Sequence, residues 1–146
     1  MKSYLFNINL SLLLVLTAGF SFGQNANNIK FDKEVQKFDK VDEGIIIELT
    51  YSFTYTGSQV LSIIPPKIDC SCTQVILPEK SITPNSTNIV KIKFDTKNKI
   101  GYQEREVVLH FVSDGMDSVS IEKKLIFKGV VKASKTTKEL YRKNYK

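Results

Sequence analysis

Along this chain apolar and polar positions alternate. In "IIIELTYSFTYTG", Ile45, Ile47, Leu49, Tyr51, Phe53 and Tyr55 share one parity, while Glu48, Thr50, Ser52, Thr54 and Thr56 share the other. A period of two describes a strand with one face in a core. Gly57-Ser58 turns the chain into "QVLSII", and Pro65-Pro66 ends that run because proline cannot donate to a ladder. "NIVKIKF" repeats the pattern, with Val90, Ile92 and Phe94 on one face and Lys91 and Lys93 on the other. "EVVLHFV" is apolar on both parities, which predicts a central strand covered on both faces. Asp114-Gly115 marks the next turn, and "SVSIEKKLIFKGVV" closes the set. Upstream, "IKF" and "VQKFDKV" are short candidates for a first strand that switches sheets. Turn signals recur about every ten residues. The expectation is all-β: a single Ig-like β-sandwich of about seven to eight antiparallel strands. Helical spacing is weak and confined to the tail, where Tyr141 and Tyr145 stand four apart.

The first residues change the picture of where this domain works. Lys2 precedes an apolar run over residues 10–18, and Ser21-Phe22-Gly23 places small residues where a signal peptidase inspects them. Cleavage is expected between Gly23 and Gln24, so residues 1–23 read as a signal peptide after which the sandwich begins. The protein is expected in the periplasm, at the cell surface or secreted. Asn7, Asn9 and Ser11 interrupt the only window that could serve as an uncleaved anchor.

Charge divides the remainder. Residues 132–146 carry six Lys or Arg against Glu139 alone, a surplus of five positive charges. Residues 24–131 hold fourteen charges of each sign, so the expected sandwich is neutral and the tail basic. Specific nucleic-acid binding wants a basic face on the fold itself, and this argues against it. The basic tail suits an anionic surface instead, although a solvated, partly disordered C-terminus is the plainer expectation.

Several segments together resemble the bacterial DUF1573 family, Ig-like domains related to the sandwiches of the ASPM-SPD-2-Hydin and major-sperm-protein type. "FDKVDEG" is similar to the family's short opening strand and Glu-Gly turn, and "YSFTYTG" to its aromatic-x-aromatic-x-Asn-Thr-Gly strand and turn. "LSI" follows, "CSCT" stands where the family carries Cys-Gly-Cys-Thr, "SITPNSTNIVKIKFDT" resembles its Ile-x-Pro-Gly turn and strand, and "KGVV" its closing Gly-Val. The resemblance covers nearly all of residues 29–131 and implies the sandwich and export; it implies no activity. Tyr55, Ser71 and Asn85 depart from the pattern. Asn85 replaces a turn glycine but tolerates left-handed backbone, so that turn is expected to survive. Ser71 would be strained if its turn required positive φ.

The chemistry-bearing candidates are Cys70 and Cys72, the only cysteines of the chain. An extended strand would put their Cα atoms about 6.6–6.8 Å apart, at the far edge of what a disulfide tolerates. A bridge therefore needs Ser71 in a turn or bulge. It would close so small a loop that the chain-entropy gain is only roughly 1.6 kcal/mol. The pair could instead be redox-active, hold Cu(I) between two thiolates, or simply pack at a strand end. Two thiolates are too few for structural zinc, and the single imidazole, His110, alternates with Val108 and Val112 on a strand. Ser118, in Asp117-Ser118-Val119, resembles the O-glycan acceptor of Bacteroidetes-type exported proteins. No phosphate loop or nucleophile elbow is visible. The reading that follows is a non-enzymatic module, without a cofactor, that contacts another protein of the cell envelope. The alternative is a thiol redox or Cu(I)-handling protein acting through Cys70 and Cys72.

Overall fold

The computed structural model describes residues 28–78, 81–113 and 120–144. The cleavage site at Gly23 and Gln24, the Asp114-Gly115 turn and Ser118 lie outside the described residues. In chain order the elements are β1 (Ile29–Phe31), β2 (Val35–Lys37), β3 (Val41–Asp42), β4 (Ile46–Tyr55), β5 (Ser62–Ile64), β6 (Thr73–Ile76), β7 (Ser86–Asp95), β8 (Gly101–Val112), β9 (Ser120–Lys132) and a C-terminal helix α1 (Lys135–Asn144).

Two sheets face each other. One has the order β1-β4-β7-β6 and is antiparallel throughout; the other runs β2-β9-β8-β5, with β3 also on β9. The predicted parities hold at its centre. Ile47, Leu49, Tyr51, Phe53 and Tyr55 from β4 are buried, as are Val90, Ile92 and Phe94 from β7, and the register pairs Tyr51 with Val90 and Leu49 with Ile92. Val107, Leu109 and Phe111 from β8, with Leu125 and Phe127 from β9, supply the facing layer. Phe53 meets Phe111 edge-on at 5.4 Å and Phe94 lies 5.3 Å from Phe127, so each aromatic contact crosses between the sheets. Burying each such side chain stabilises the fold by about 1.5–3 kcal/mol. Tyr51 adds a polar tie through this layer: its hydroxyl donates to the Ile126 carbonyl at 2.9 Å, and burial pushes its pKa up to about 12.

Five expectations need correction or refinement. The strands number nine among the described residues, and they are not all antiparallel: β2 and β3 run parallel to β9. The chain does switch sheets after β1, as the two short upstream segments suggested, and it reaches the edge of β9 travelling in the same direction. Strands of two or three residues carry no directional signal in their sequence. Ile45 is exposed rather than inward, because its N–H is held by the Thr96 hydroxyl at 2.8 Å and the strand begins one residue later. β8 is central yet covered on one face only; Val108, His110 and Val112 are half-buried on the outer face. The second strand is shortened to β5, with Leu61 bridging to Ile82 before it and Pro65-Pro66 after it. Finally, the tail is a helix, although none of its residues is buried.

Two local backbone features follow from residue type. Asn85 takes φ +56°, so the Pro84-Asn85 turn survives without glycine. Gly129 sits under the Phe38 ring, and a Cβ there would run into it.

Candidate functional site

The connection from β5 to β6 carries the chain from one sheet to the other, and the two cysteines lie at its end. Thr73 N–H donates to the Cys70 carbonyl at 3.1 Å, which folds residues 70–73 into a tight turn. That turn shortens the Cα separation to 5.1 Å, and the structure joins Cys70 and Cys72 in a disulfide. Ser71 keeps ordinary negative φ: positive φ among the described non-glycine residues falls on Asn85 and Asn98. The strain that a glycine-requiring turn would impose is therefore absent at Ser71.

The two sulfurs differ in surroundings. Cys72 packs against the hydrophobic core, and its carbonyl accepts from Asp95 N–H at 2.8 Å. Cys70 lines a groove of 310 Å³ between residues 67–70 and the Glu104-Arg105-Glu106 stretch of β8. Cys72 N–H donates to Cys70 Sγ at 3.2 Å, and the Thr73 hydroxyl stands 3.8 Å from Cys72 Sγ. The groove wall is pinned by Arg105. Its guanidinium lies 5.8 Å from the Phe94 ring centre, within cation–π range. It also donates to the Gln103 side chain at 2.9 Å and to the Glu104 carbonyl at 2.8 Å.

The groove follows an open sheet edge. β5 pairs only with His110, Phe111 and Val112, so residues 101–109 of β8 have no strand on that side among the described residues. Charged side chains at Glu104, Arg105 and Glu106 guard it, a common protection of strand edges. His110 pairs opposite Ile64 and is not part of the groove. Among the described residues no group of three or more His, Cys, Asp or Glu is placed to hold a metal ion.

A second polar centre escaped the sequence reading. Glu43, in the β3–β4 turn, accepts from Thr137 Oγ1 at 2.6 Å, Ser134 N–H at 3.3 Å and Asn98 N–H at 3.0 Å. These bonds, that from Thr137 foremost, hold its carboxyl below the usual carboxylate range. Ser134 caps α1 by accepting from Thr137 N–H at 3.1 Å. A Ser three residues before a Thr was the available signal, but nothing in sequence spacing pointed to Glu43 as its partner. Beyond that cap, Leu140 and Tyr141 are exposed on one side of α1, while Lys135, Lys138 and Arg142 share the other. No helix of the described residues is long and apolar enough to cross a membrane.

Comparison with solved structures gives the sandwich its relatives. The chain is similar to the ASH / PapD-like domain of human CEP192 (PapD-like domain 7), with TM-score 0.61 and 10% identity over 79% of this chain and 93% of that one. It is also similar to part of the Vibrio cholerae VesB protease, with TM-score 0.58 and 12% identity over 71% of this chain. The chain spans 32% of that VesB chain. At such identities the likeness is one of fold. No curated protein matches the sequence. The family model described as "Protein of unknown function (DUF1573)" matches residues 29–131, which are the two sheets just described from β1 through Val131, and the chain belongs to that family.

Proposed function

We propose that this protein is an exported, non-enzymatic Ig-like module of the bacterial cell envelope that binds another envelope protein along the edge of β8. The observation that carries this reading is the open edge over residues 101–109, flanked by a disulfide-closed turn and a charged groove. An extended segment of a partner would add there as a further strand. Its main-chain hydrogen bonds would supply affinity, and its side chains would be selected by the groove. Lys67 and Arg105 would accept acidic side chains; Asp69, Glu104 and Glu106 would accept basic ones.

The signal-like N-terminus supports export, and the family match and sandwich relatives support a module of this architecture. The basic side of α1 gives the same protein a second contact, with an anionic surface of the envelope.

The test is capture of the partner from envelope extract by the full mature chain. Reversing both loop charges, Lys67→Glu with Asp69→Lys, is expected to weaken capture by at least about tenfold while leaving the fold's circular dichroism unchanged. Exchanging Glu48 and Lys93, whose side chains pair at 2.8 Å on the opposite sheet, leaves capture intact. Equal capture by all three proteins removes β8 as the binding edge. Amino-terminal sequencing of the envelope form checks export directly, with Gln24 as the expected first residue.

A further inference from the structure

We infer that the Cys70–Cys72 disulfide is an exchange site for dithiols, and that the exchange has a fixed direction: the incoming sulfur joins Cys70 and Cys72 leaves. This activity does not depend on a partner occupying the edge of β8.

Three structural features give the pair its asymmetry. Both cysteines are half-buried, but Cys70 lines the groove while Cys72 packs against the core. A thiolate reaching this turn therefore meets Cys70 first. Second, the Cys72 N–H already points at Cys70 Sγ, at 3.2 Å. That donor stabilises negative charge on Cys70, so it serves the second step, in which Cys70 is expelled from the mixed disulfide, and makes Cys70 the nucleophilic member of the reduced pair. Third, the Thr73 hydroxyl lies 3.8 Å from Cys72 Sγ and is the only one of the two with a proton to give while the disulfide is closed. It is placed to donate to the charge that appears on Cys72 as the bond opens. The groove carries Lys67 and Arg105 against Asp69, Glu104 and Glu106, so its net charge does not favour an approaching anion. Access from the groove and the Thr73 hydroxyl beside Cys72, rather than field, select the sulfur that is attacked.

The step balances without an external oxidant. A substrate thiolate attacks Cys70 Sγ, forming a new S–S bond. The Cys70–Cys72 bond breaks with its electron pair on Cys72 Sγ, which takes a proton from water. The substrate's second thiolate then attacks its own sulfur in the mixed disulfide, expelling Cys70 as a thiolate that is protonated in turn. The substrate leaves as a disulfide, and the protein is left with two thiols. Two electrons and two protons have moved from substrate to protein. The turn keeps Cys72 beside Cys70, with only Ser71 between them, so with a monothiol the first step is reversed by reclosure.

The experiment uses the full mature chain. Cys72→Ser leaves one thiol at Cys70, and Cys70→Ser leaves one at Cys72. Each is incubated with oxidised glutathione at neutral pH and followed by intact mass. The Cys70 thiol is expected to take up one glutathione at least about tenfold faster than the Cys72 thiol. Equal rates, or a faster Cys72, overturn the assignment. The unmutated chain answers the same question if either variant fails to fold. Treated with dithiothreitol and quenched early by acid, it should open while its circular dichroism remains native, with the trapped adduct on Cys70. A disulfide that opens only after guanidinium unfolds the chain, or an adduct on Cys72, overturns the proposal.

Discussion

Two junctions hang from adjacent residues at the end of β7, and they are built by opposite means. Asp95 N–H holds the Cys72 carbonyl, fixing the disulfide turn against the sheet. One residue on, Thr96 is fully buried; its hydroxyl donates to the Ile45 carbonyl at 2.7 Å and accepts from Ile45 N–H at 2.8 Å, anchoring the β3–β4 turn. The Thr96 junction is centred on a buried hydroxyl and made of hydrogen bonds, so loss of that hydroxyl leaves the Ile45 N–H without its acceptor. The cysteine junction is half-exposed and covalent, yet its bond closes almost no chain. The stronger bond thus makes the smaller contribution to stability. A covalent link that closes so short a loop holds the turn in shape without stapling the fold, whereas the hydrogen-bonded link is part of the architecture.

Phe94 tests what the junctions share, since it precedes both, pairs with Thr73, and touches Phe127, Phe38 and Arg105. Phe94→Ala is expected to cost about 3–5 kcal/mol in denaturant unfolding. It should also loosen the groove, seen as faster reduction of the disulfide. A loss confined to stability, with reduction unchanged, would separate the groove from the core. Thr96→Val conserves volume and removes only the hydroxyl, and should cost about 1–3 kcal/mol because the part-buried Ile45 N–H loses its acceptor, while the Ile45 carbonyl keeps the Thr96 N–H. If it is neutral, the contrast between a hydrogen-bonded and a covalent junction collapses.

The double substitution Cys70→Ser, Cys72→Ser should cost no more than about 1.6 kcal/mol, the ceiling set by closing so short a loop. A larger loss would make the disulfide a structural staple. Glu43→Gln should have the smallest effect on the whole: the sandwich's unfolding midpoint stays put while the helical circular dichroism of α1 falls. The sign with pH follows from the lowered carboxyl. The tie is complete above the ordinary carboxylate range and is lost as pH falls through the lower folded value, so α1 should fray on acidification. In Glu43→Gln that acid step should vanish.

Much of the fold was legible in the chain. Alternation placed β4 and β7 with the right faces inward, Pro65-Pro66 ended β5, and Asn85 kept its turn in the left-handed region. These are local consequences of side-chain period and backbone preference. What stayed hidden depends on pairing across the chain. The parallel docking of β2 and β3 is decided by β9, roughly ninety residues away. The helix was obscured because its stability rests on a Ser134 cap and on Glu43 rather than on an apolar stripe of its own. For the site, spacing identified Cys70 and Cys72 and showed that a turn was required. It could not say which sulfur faces the groove, since that is set by the course of β8.

The parallel edge also sets an order of assembly. A ribosome delivers β2 and β3 early, but their ladder partner β9 follows roughly ninety residues later. β1 finds Tyr55 and Phe53 within its neighbourhood, so the first sheet can begin at once. Val35 must wait for Ile126 and Val41 for Val131. Such long-range pairings form slowly. Until they form, Phe38 has no Gly129 to cover and the Tyr51 hydroxyl has no Ile126 carbonyl to meet. The β2–β3 segment is therefore the clasp of the molecule, fastened only once β9 has been made.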